Sequence, residues 1–248
     1  MRWIAIAILV LAFNAVGQPA RGSVAGLLRA VAQKYRDLPS YVVRADSIGH
    51  EVGELGAGRT VTIVAFRDAT HFSYRARGTV RSDIVADGVS VRFYRPDLGE
   101  YLEEPFKSTE GNQHQGASVF ATVSARVVYR FRNIDDYIES ARWLGSKTIG
   151  RKNNVVVERV EVRALQPGET WIDEVWIDAR TKLIHKVLRK NIGPPGTSPL
   201  LDETSFQYLH INSAIPESYF QLKLPTNARR TKQFRIDRRI HTDWLPVP

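Results

Sequence analysis

The sequence predicts a mainly β protein of the α+β class, built on a wide, curved antiparallel sheet. Three observations predict it. Short runs of alternating apolar and polar residues recur along most of the chain, turn-forming residues separate these runs, and few segments have helical spacing. The clearest case is residues 171–189, in which two alternating runs flank a polar turn at 178–181. This pattern predicts a β-hairpin with one buried and one solvated face.

The N-terminus has the features of an export signal. Arg2 supplies a positive charge, residues 3–13 form an apolar run, and small residues follow at 15–20. We therefore expect residues 1–20 to be a cleavable signal peptide. The apolar run is shorter than the about 20 residues that a membrane-spanning helix needs, and an uncleaved anchor is the alternative.

Composition excludes several classes of protein. The 248 residues include no cysteine, which excludes disulfides, thiolate zinc sites and an N-terminal lipoprotein anchor. A chain of this length buries roughly 70% of its unfolded surface, enough for stability without cross-links. The net charge of +9 suits an anionic partner. An export signal favours a membrane surface over nucleic acid, and a merely solvated basic surface is the alternative.

The first half begins with an amphipathic helix and continues as strands. Apolar residues at helical spacing predict a helix over 21–38, with Ser23 as N-cap and Pro39 just beyond its end. Turn-forming residues at 67–70, 87–88 and 96–99 then separate the strands. The predicted strands of this half are residues 41–48, 60–66, 71–77, 82–86, 90–94 and 100–103.

The middle of the chain departs from this pattern. Residues 115–129 and 134–144 lack alternation, and we expect a helical insertion in which Asn133 caps the second helix and Gly145 follows it. Strands resume at 147–151, 154–163, 171–178, 182–191 and 203–212, before a short element at 216–224. We expect one domain over residues 21–227 and a basic tail over 228–248.

Signatures of catalysis and of metal or cofactor binding are absent from the sequence. The six histidines are dispersed, with no pair at metal-ligand spacing. Glu103 and Glu104 are neighbours on a predicted strand, so their side chains point to opposite faces. Asp135 and Asp136 fall in a predicted first helical turn, where carboxylates stabilise the helix dipole. The sequence therefore predicts a non-enzyme without cofactor or metal.

Large apolar residues recur on consecutive predicted strands. They either form the ordinary core beneath the helices or line a concave apolar cavity for a small molecule or an acyl chain. The recurring apolar residues are Phe66, Phe72, Tyr74, Val91, Phe93, Tyr101, Val175, Ile177, Val187 and Phe206. All of these except Tyr101 are candidate cavity residues.

Three motifs in order resemble the outer-membrane lipoprotein carriers of the LolA type. Residues 87–98 (DGVSVRFYRPDL) resemble a strand and turn of that family, and residues 176–183 (WIDARTKL) resemble its hairpin, with Lys182 where glycine is common. Residues 206–225 resemble its closing segment. The order and spacing agree over about residues 24–225.

This resemblance implies an incomplete β-barrel, lined by apolar residues and covered by helices. It implies a monomeric, soluble periplasmic carrier that holds a lipid or lipoprotein acyl group and contacts membranes transiently. In that family an arginine after an early strand locks the lid. Arg67 matches it, although Asp68 stands where proline is common. The alternative is a regulatory or scaffold module of the same fold, whose basic tail favours an acidic protein partner.

Overall fold

A computed structural model shows one sheet with a helix packed on it. It describes residues 23–49, 58–68, 70–79, 81–105, 129–136, 138–150, 155–164, 171–191 and 200–232. The predicted signal peptide and most of the predicted helix at 115–129 lie outside these residues. Among the described helices, none is long and apolar enough to cross a bilayer.

Helix α1 spans Val24–Arg36 and begins where the sequence predicts. The Ser23 hydroxyl accepts a hydrogen bond from the Gly26 N–H at 3.0 Å, which satisfies one of the free amides of the first turn. The apolar side chains of the helix fall on one face and are buried against the sheet. They are Leu28, Val31, Ala32 and Tyr35.

Twelve strands form a single sheet in the order β12-β6-β5-β4-β3-β2-β1-β11-β10-β9-β8-β7. The sheet is curved and open, because β12 and β7 lie at opposite ends instead of pairing. Neighbouring strands are antiparallel except β12 and β6, which are parallel. The strands are β1 Tyr41–Gly49, β2 Gly58–Asp68, β3 His71–Gly78, β4 Ser82–Asp87, β5 Ser90–Arg95, β6 Glu100–Pro105, β7 Ile138–Ile149, β8 Val155–Ala164, β9 Trp171–Asp178, β10 Ile184–Asn191, β11 Leu200–Ile211 and β12 Arg229–Arg230.

The sheet has two unlike faces. We call the face that packs on α1 the inner face, and it carries the main hydrophobic core. The outer face carries a smaller cluster, formed by Val42, Ala65, Ile215 and Phe220. The predicted mainly β, α+β class with an open curved sheet is confirmed, as is the hairpin of β9 and β10.

Residues 213–232 form a strap that crosses the outer face from β1 to β6. It contains a 3₁₀ turn at Glu217–Phe220 and ends as β12. One guanidinium nitrogen of Arg75 donates to the carbonyl oxygens of Ser218, Tyr219 and Gln221 at 3.2, 3.2 and 2.8 Å. Arg75 therefore ties β3 to the carbonyl end of the turn.

The prediction of a helix over 134–144 is wrong. A 3₁₀ turn at Tyr129–Asn133 contains Asn133, a turn follows at 134–136, and β7 begins at Ile138. The register of β7 against β8 shifts twice, between Ile138 and Ser140 and between Trp143 and Gly145. Each irregularity adds a residue and breaks the period-two pattern, which hid this strand from sequence reasoning.

The basic tail begins inside the fold. Arg229 pairs with Glu100 at 3.2 Å and Arg230 with Glu103 at 3.6 Å, so β12 binds the edge of the sheet through charge as well as backbone. The residues beyond 232 lie outside the described part of the chain. The predicted domain boundary at 227 stays a prediction.

Candidate functional site

All nine candidate cavity residues lie on the inner face. The strand register pairs Phe66 with Phe72 and Val175 with Val187. Phe93 of β5 lies in line with Tyr74 of β3, with β4 between them. Phe66, Tyr74 and Phe93 are half-buried and pack against the core. The other six are buried within it: Phe72, Val91, Val175, Ile177, Val187 and Phe206.

The inner face is partly covered by α1 and by the 3₁₀ turn at Tyr129–Asn133. Phe131 from this turn is 2% exposed. Its ring lies 5.3 Å from Tyr35 of α1 and 5.5 Å from Phe206 of β11, centroid to centroid. Phe131 thus joins the helix to the sheet and closes over one of the predicted cavity residues.

Two tyrosines hold α1 on the sheet. The Tyr35 and Tyr208 hydroxyls are hydrogen-bonded to each other. The Ile184 N–H donates to the Tyr35 oxygen at 3.0 Å, and the Tyr208 hydroxyl donates to the Ile184 carbonyl at 2.9 Å. We call this closed set of hydrogen bonds the tyrosine clasp. It links α1 to β10 and β11 through one backbone unit.

A strand irregularity lies beside the clasp. The register of β10 against β9 shifts between Ile184, whose amide and carbonyl bind the tyrosines, and Lys186. Burial raises the pKa of Tyr208 well above its ordinary value, and the neighbouring Tyr35 raises it further. The phenol therefore stays protonated and keeps its role as a donor.

The clasp was missed by sequence reasoning. Tyr35 appears in the sequence as an apolar position of α1, and Tyr208 as one residue of the closing motif. They lie 173 residues apart, and nothing local links them. A weak signal was present, since a buried tyrosine requires a partner for its hydroxyl.

The inner face changes character along the strands. Its apolar end contains Phe66 and Phe72, whereas at the other end the Ser47 and Thr204 hydroxyls lie 3.0 Å apart. Beside them, Arg189 donates to the Asp173 carboxylate at 2.9 and 3.1 Å. Register places both pairs on inward-facing positions. The inner face is therefore amphipathic over roughly 20 Å, the length of six strand residues.

Arg67, the predicted lid residue, lies on the outer face. Its guanidinium forms an ion pair with Glu217, lies 3.8 Å from Asp68 and stacks 4.7 Å from the centroid of Phe220. These contacts tie β2 to the strap, on the side of the sheet opposite α1. A contact between Arg67 and a lid stays a prediction.

An outer cleft of about 510 Å³ separates the strap from β3 and β5. Two of its charged groups are engaged with neighbours, since Asp87 pairs with Arg92 at 3.3 Å and His71 lies 3.0 Å from Asp68. In the described part of the chain, no group of three acidic or histidine side chains is arranged to hold a metal ion. The inner face therefore remains the candidate site.

Comparisons with known proteins give similarities in fold alone. No family model and no curated protein matches the chain. MucB of Pseudomonas aeruginosa, solved in complex with MucA, is 14% identical over 80% of this chain, with a TM-score of 0.46, and the chain spans 60% of that protein. A LolA superfamily protein of Nitrosomonas europaea is 9% identical over 82% of this chain and 99% of its own, with a TM-score of 0.34. LppX of Mycobacterium tuberculosis is 11% identical over 78% of this chain and 99% of its own, with a TM-score of 0.42.

Proposed function

We propose that this protein is a non-catalytic periplasmic carrier, which holds a lipid or a lipoprotein acyl group on the inner face. One observation carries the proposal. A continuous apolar surface extends across an open sheet, and its described cover is α1, attached by the tyrosine clasp, with the turn at Tyr129–Asn133. A displacement of α1 would open this surface to an acyl chain.

Dimensions support this function. The 13 residues of α1 give a helix of about 20 Å. The eleven antiparallel strands, each about 4.8 Å from the next, extend roughly 50 Å along the curve. α1 alone is shorter than this surface, and Tyr74 and Phe93 are half-buried. Each acyl CH2 buried there contributes about 0.8 kcal/mol.

The polarity of the inner face suits an amphiphile. An acyl chain would lie along Phe66 and Phe72, and a polar head group would meet Ser47, Thr204 and the Arg189–Asp173 pair. Hydroxyls and a balanced ion pair suit hydrogen-bonding head groups, since they offer both donors and acceptors.

Native mass spectrometry tests the proposal on protein released from its own envelope without detergent. We expect the spectra to show protein with bound lipid. After delipidation, we expect each protein molecule to take up one fluorescent fatty acid molecule. Protein that carries no lipid and takes up none when offered would contradict the proposal.

The protein-partner alternative requires a different experiment. Because Arg229 and Arg230 form β12, a deletion should begin after Lys232 to leave the strap intact. If the tail recruits an acidic partner, this truncation weakens partner binding while lipid uptake is unchanged. Partner binding that is equal in the full-length and truncated proteins would contradict a role for the tail.

A further inference from the structure

The outer face of β7, β8, β9 and β10 carries an excess of positive charge. The strap packs on the outer side of β1 to β6, where its turn at Glu217–Phe220 contacts β3 and β4 and its end pairs with β6. Their outward register positions hold six cations and three carboxylates. The cations are Arg142, Lys147, Arg159, Arg163, Lys186 and Lys190, and the carboxylates are Glu161, Glu174 and Asp178. We call this surface the basic face.

Trp176 lies at the centre of the basic face, between three cations. The Lys147 and Lys186 ammonium groups lie 5.1 and 5.4 Å from its ring centroid, and the Arg159 guanidinium carbon lies at 5.6 Å. These distances are within the range of cation–π attraction. Arg159 and Lys186 are also paired with carboxylates, Glu174 at 2.8 Å and Glu203 of β11 at 2.5 Å, whereas Lys147 lies over the aromatic ring.

A buried carboxylate supports this arrangement from below. Glu174 is 2% exposed and accepts hydrogen bonds from Arg159 and from the Trp176 indole, both at 2.8 Å. It also forms an ion pair with Lys190. Its negative charge is thus withdrawn from solvent, whereas the cations that it holds lie nearer the surface.

Several cations of the basic face have no carboxylate partner among the described residues. Lys147 is exposed and lies over the Trp176 ring, and Arg163 is exposed at the other end of the face. Arg180 is exposed in the turn just after β9. The charges are spread over four strands, roughly 15 Å across and 20 Å long. The outer cleft described above lies elsewhere, between the strap, β3 and β5.

We propose that the basic face docks on the surface of a membrane containing anionic lipids. A broad distribution of cations on the outer side of the sheet is complementary to a surface of negative head groups, whereas an acidic peptide would require a groove to define its path. Docking through the outer face leaves the inner face free, so this inference does not depend on what the inner face binds.

Vesicle sedimentation tests the inference with the full mature chain. The test variant K147E/R163E reverses two exposed charges that have no described carboxylate partner. The control variant K223E/K232E makes the same change in net charge on exposed lysines of the strap, at the other end of the sheet. Circular dichroism and the urea midpoint verify that both variants fold.

We expect wild type to bind vesicles containing phosphatidylglycerol and to bind pure phosphatidylcholine far more weakly, with binding that falls as salt is raised. A basic residue near an anionic surface contributes about fivefold, so the test variant should lose about 25-fold or more. The control should stay within about twofold, because charges more than a Debye length of about 10 Å away are screened.

Three results would overturn the inference. They are equal binding to neutral and anionic vesicles, an equal loss in the control variant, and complete displacement from vesicles by polyglutamate at equal charge concentration. The last result would assign the basic face to acidic proteins. Fatty acid uptake by the test variant is measured in parallel and should equal that of wild type, which separates this inference from the proposed carrier function.

Discussion

The Tyr35 hydroxyl of α1 lies against the Tyr208 hydroxyl of β11, and both are hydrogen-bonded to the backbone of Ile184. Through this relationship a side chain from the start of the described chain and one near its end both bind the backbone of one residue. The contact is buried, and it joins α1 to the sheet at a point where β10 is irregular.

Removing one hydroxyl from the clasp should destabilise the protein. Tyr35→Phe leaves the Ile184 N–H and the Tyr208 hydroxyl short of a partner, and a buried unsatisfied group costs about 1–3 kcal/mol. We expect a loss in that range in the free energy of unfolding, measured with urea. Tyr219→Phe is the matched control, since Tyr219 is half-buried on the strap and contacts His210 through its ring. Equal losses in the two variants would contradict the clasp.

Two carboxylates that are cross-strand partners should differ in their contribution to stability. Glu174 is 2% exposed and is bound by Arg159, Lys190 and Trp176. Its neighbour Glu161 pairs with Arg142, whose side chain is 70% exposed. Glu174→Ala should cost about 1–3 kcal/mol because it leaves the Trp176 indole and the half-exposed Arg159 and Lys190 without their acceptor. Glu161→Ala should cost about 0–1 kcal/mol, as exposed ion pairs do. Urea unfolding of both variants measures the difference, and equal costs would contradict it.

Asp68 should make the stability of the protein sensitive to acid. Burial raises the pKa of Asp68, but hydrogen bonds from Thr70 and His71 outweigh it and lower the pKa to about 2. A depressed pKa stabilises the folded state above the unfolded value of about 3.9, and this stabilisation is lost as pH falls from about 5 to about 2.

The urea midpoints of wild type and Asp68→Asn, followed over this range of pH, test the linkage. The gap between the two proteins should be largest near neutral pH and should shrink as acid protonates Asp68. A gap that stays constant down to about pH 2 would show that Asp68 does not titrate as described.

Two glycines with positive φ should tolerate alanine differently. Gly88 has φ +86°, and a Cβ there would lie 2.8 Å from Nε2 and 2.9 Å from Cε1 of His71. Gly99 has φ +62°, and a Cβ there would meet nothing within 4 Å. Both alanine variants carry backbone strain of about 1–2 kcal/mol. Gly88→Ala should be the less stable by thermal unfolding, because it adds a collision with a ring; the reverse order would contradict this packing.

A charge on the inner face should reduce lipid uptake. Phe93→Asp places a carboxylate on a half-buried inward position of β5, where a bound acyl chain would have to desolvate it. The control is Val89→Asp, the same chemistry at a turn residue that is 77% exposed. Titration with a fluorescent fatty acid should show at least tenfold weaker binding for Phe93→Asp, a loss of about 1.4 kcal/mol. Unchanged affinity would place the ligand elsewhere.

The strands were predictable where alternation was regular. The inward position of Phe72 and Val175 follows from period-two patterning, because a sheet with one buried face requires apolar residues at every second position. β7 was not predictable, since its two bulges break the period and Gly145 adopts φ +103° within the strand. An inserted residue shifts the alternation of apolar and polar positions by one, so the strand no longer shows a regular period of two.

The partner of Arg67 could not be predicted from the sequence either. Family resemblance indicates a lid, whereas the described contacts of Arg67 are to Glu217 and Phe220 of the strap. The path of the strap across the outer face decides this, and that path depends on packing between Ile215, Phe220 and β2.

The class of fold, most strands and the inward-facing apolar set could be predicted from the sequence, because local alternation and turn chemistry act over a few residues. Which of those residues come into contact depends on how the strands assemble. The clasp of Tyr35 and Tyr208, the strap and the basic face around Trp176 each join segments far apart along the chain. Such contacts form when the whole sheet brings distant strands side by side, and that arrangement leaves no local trace in the sequence.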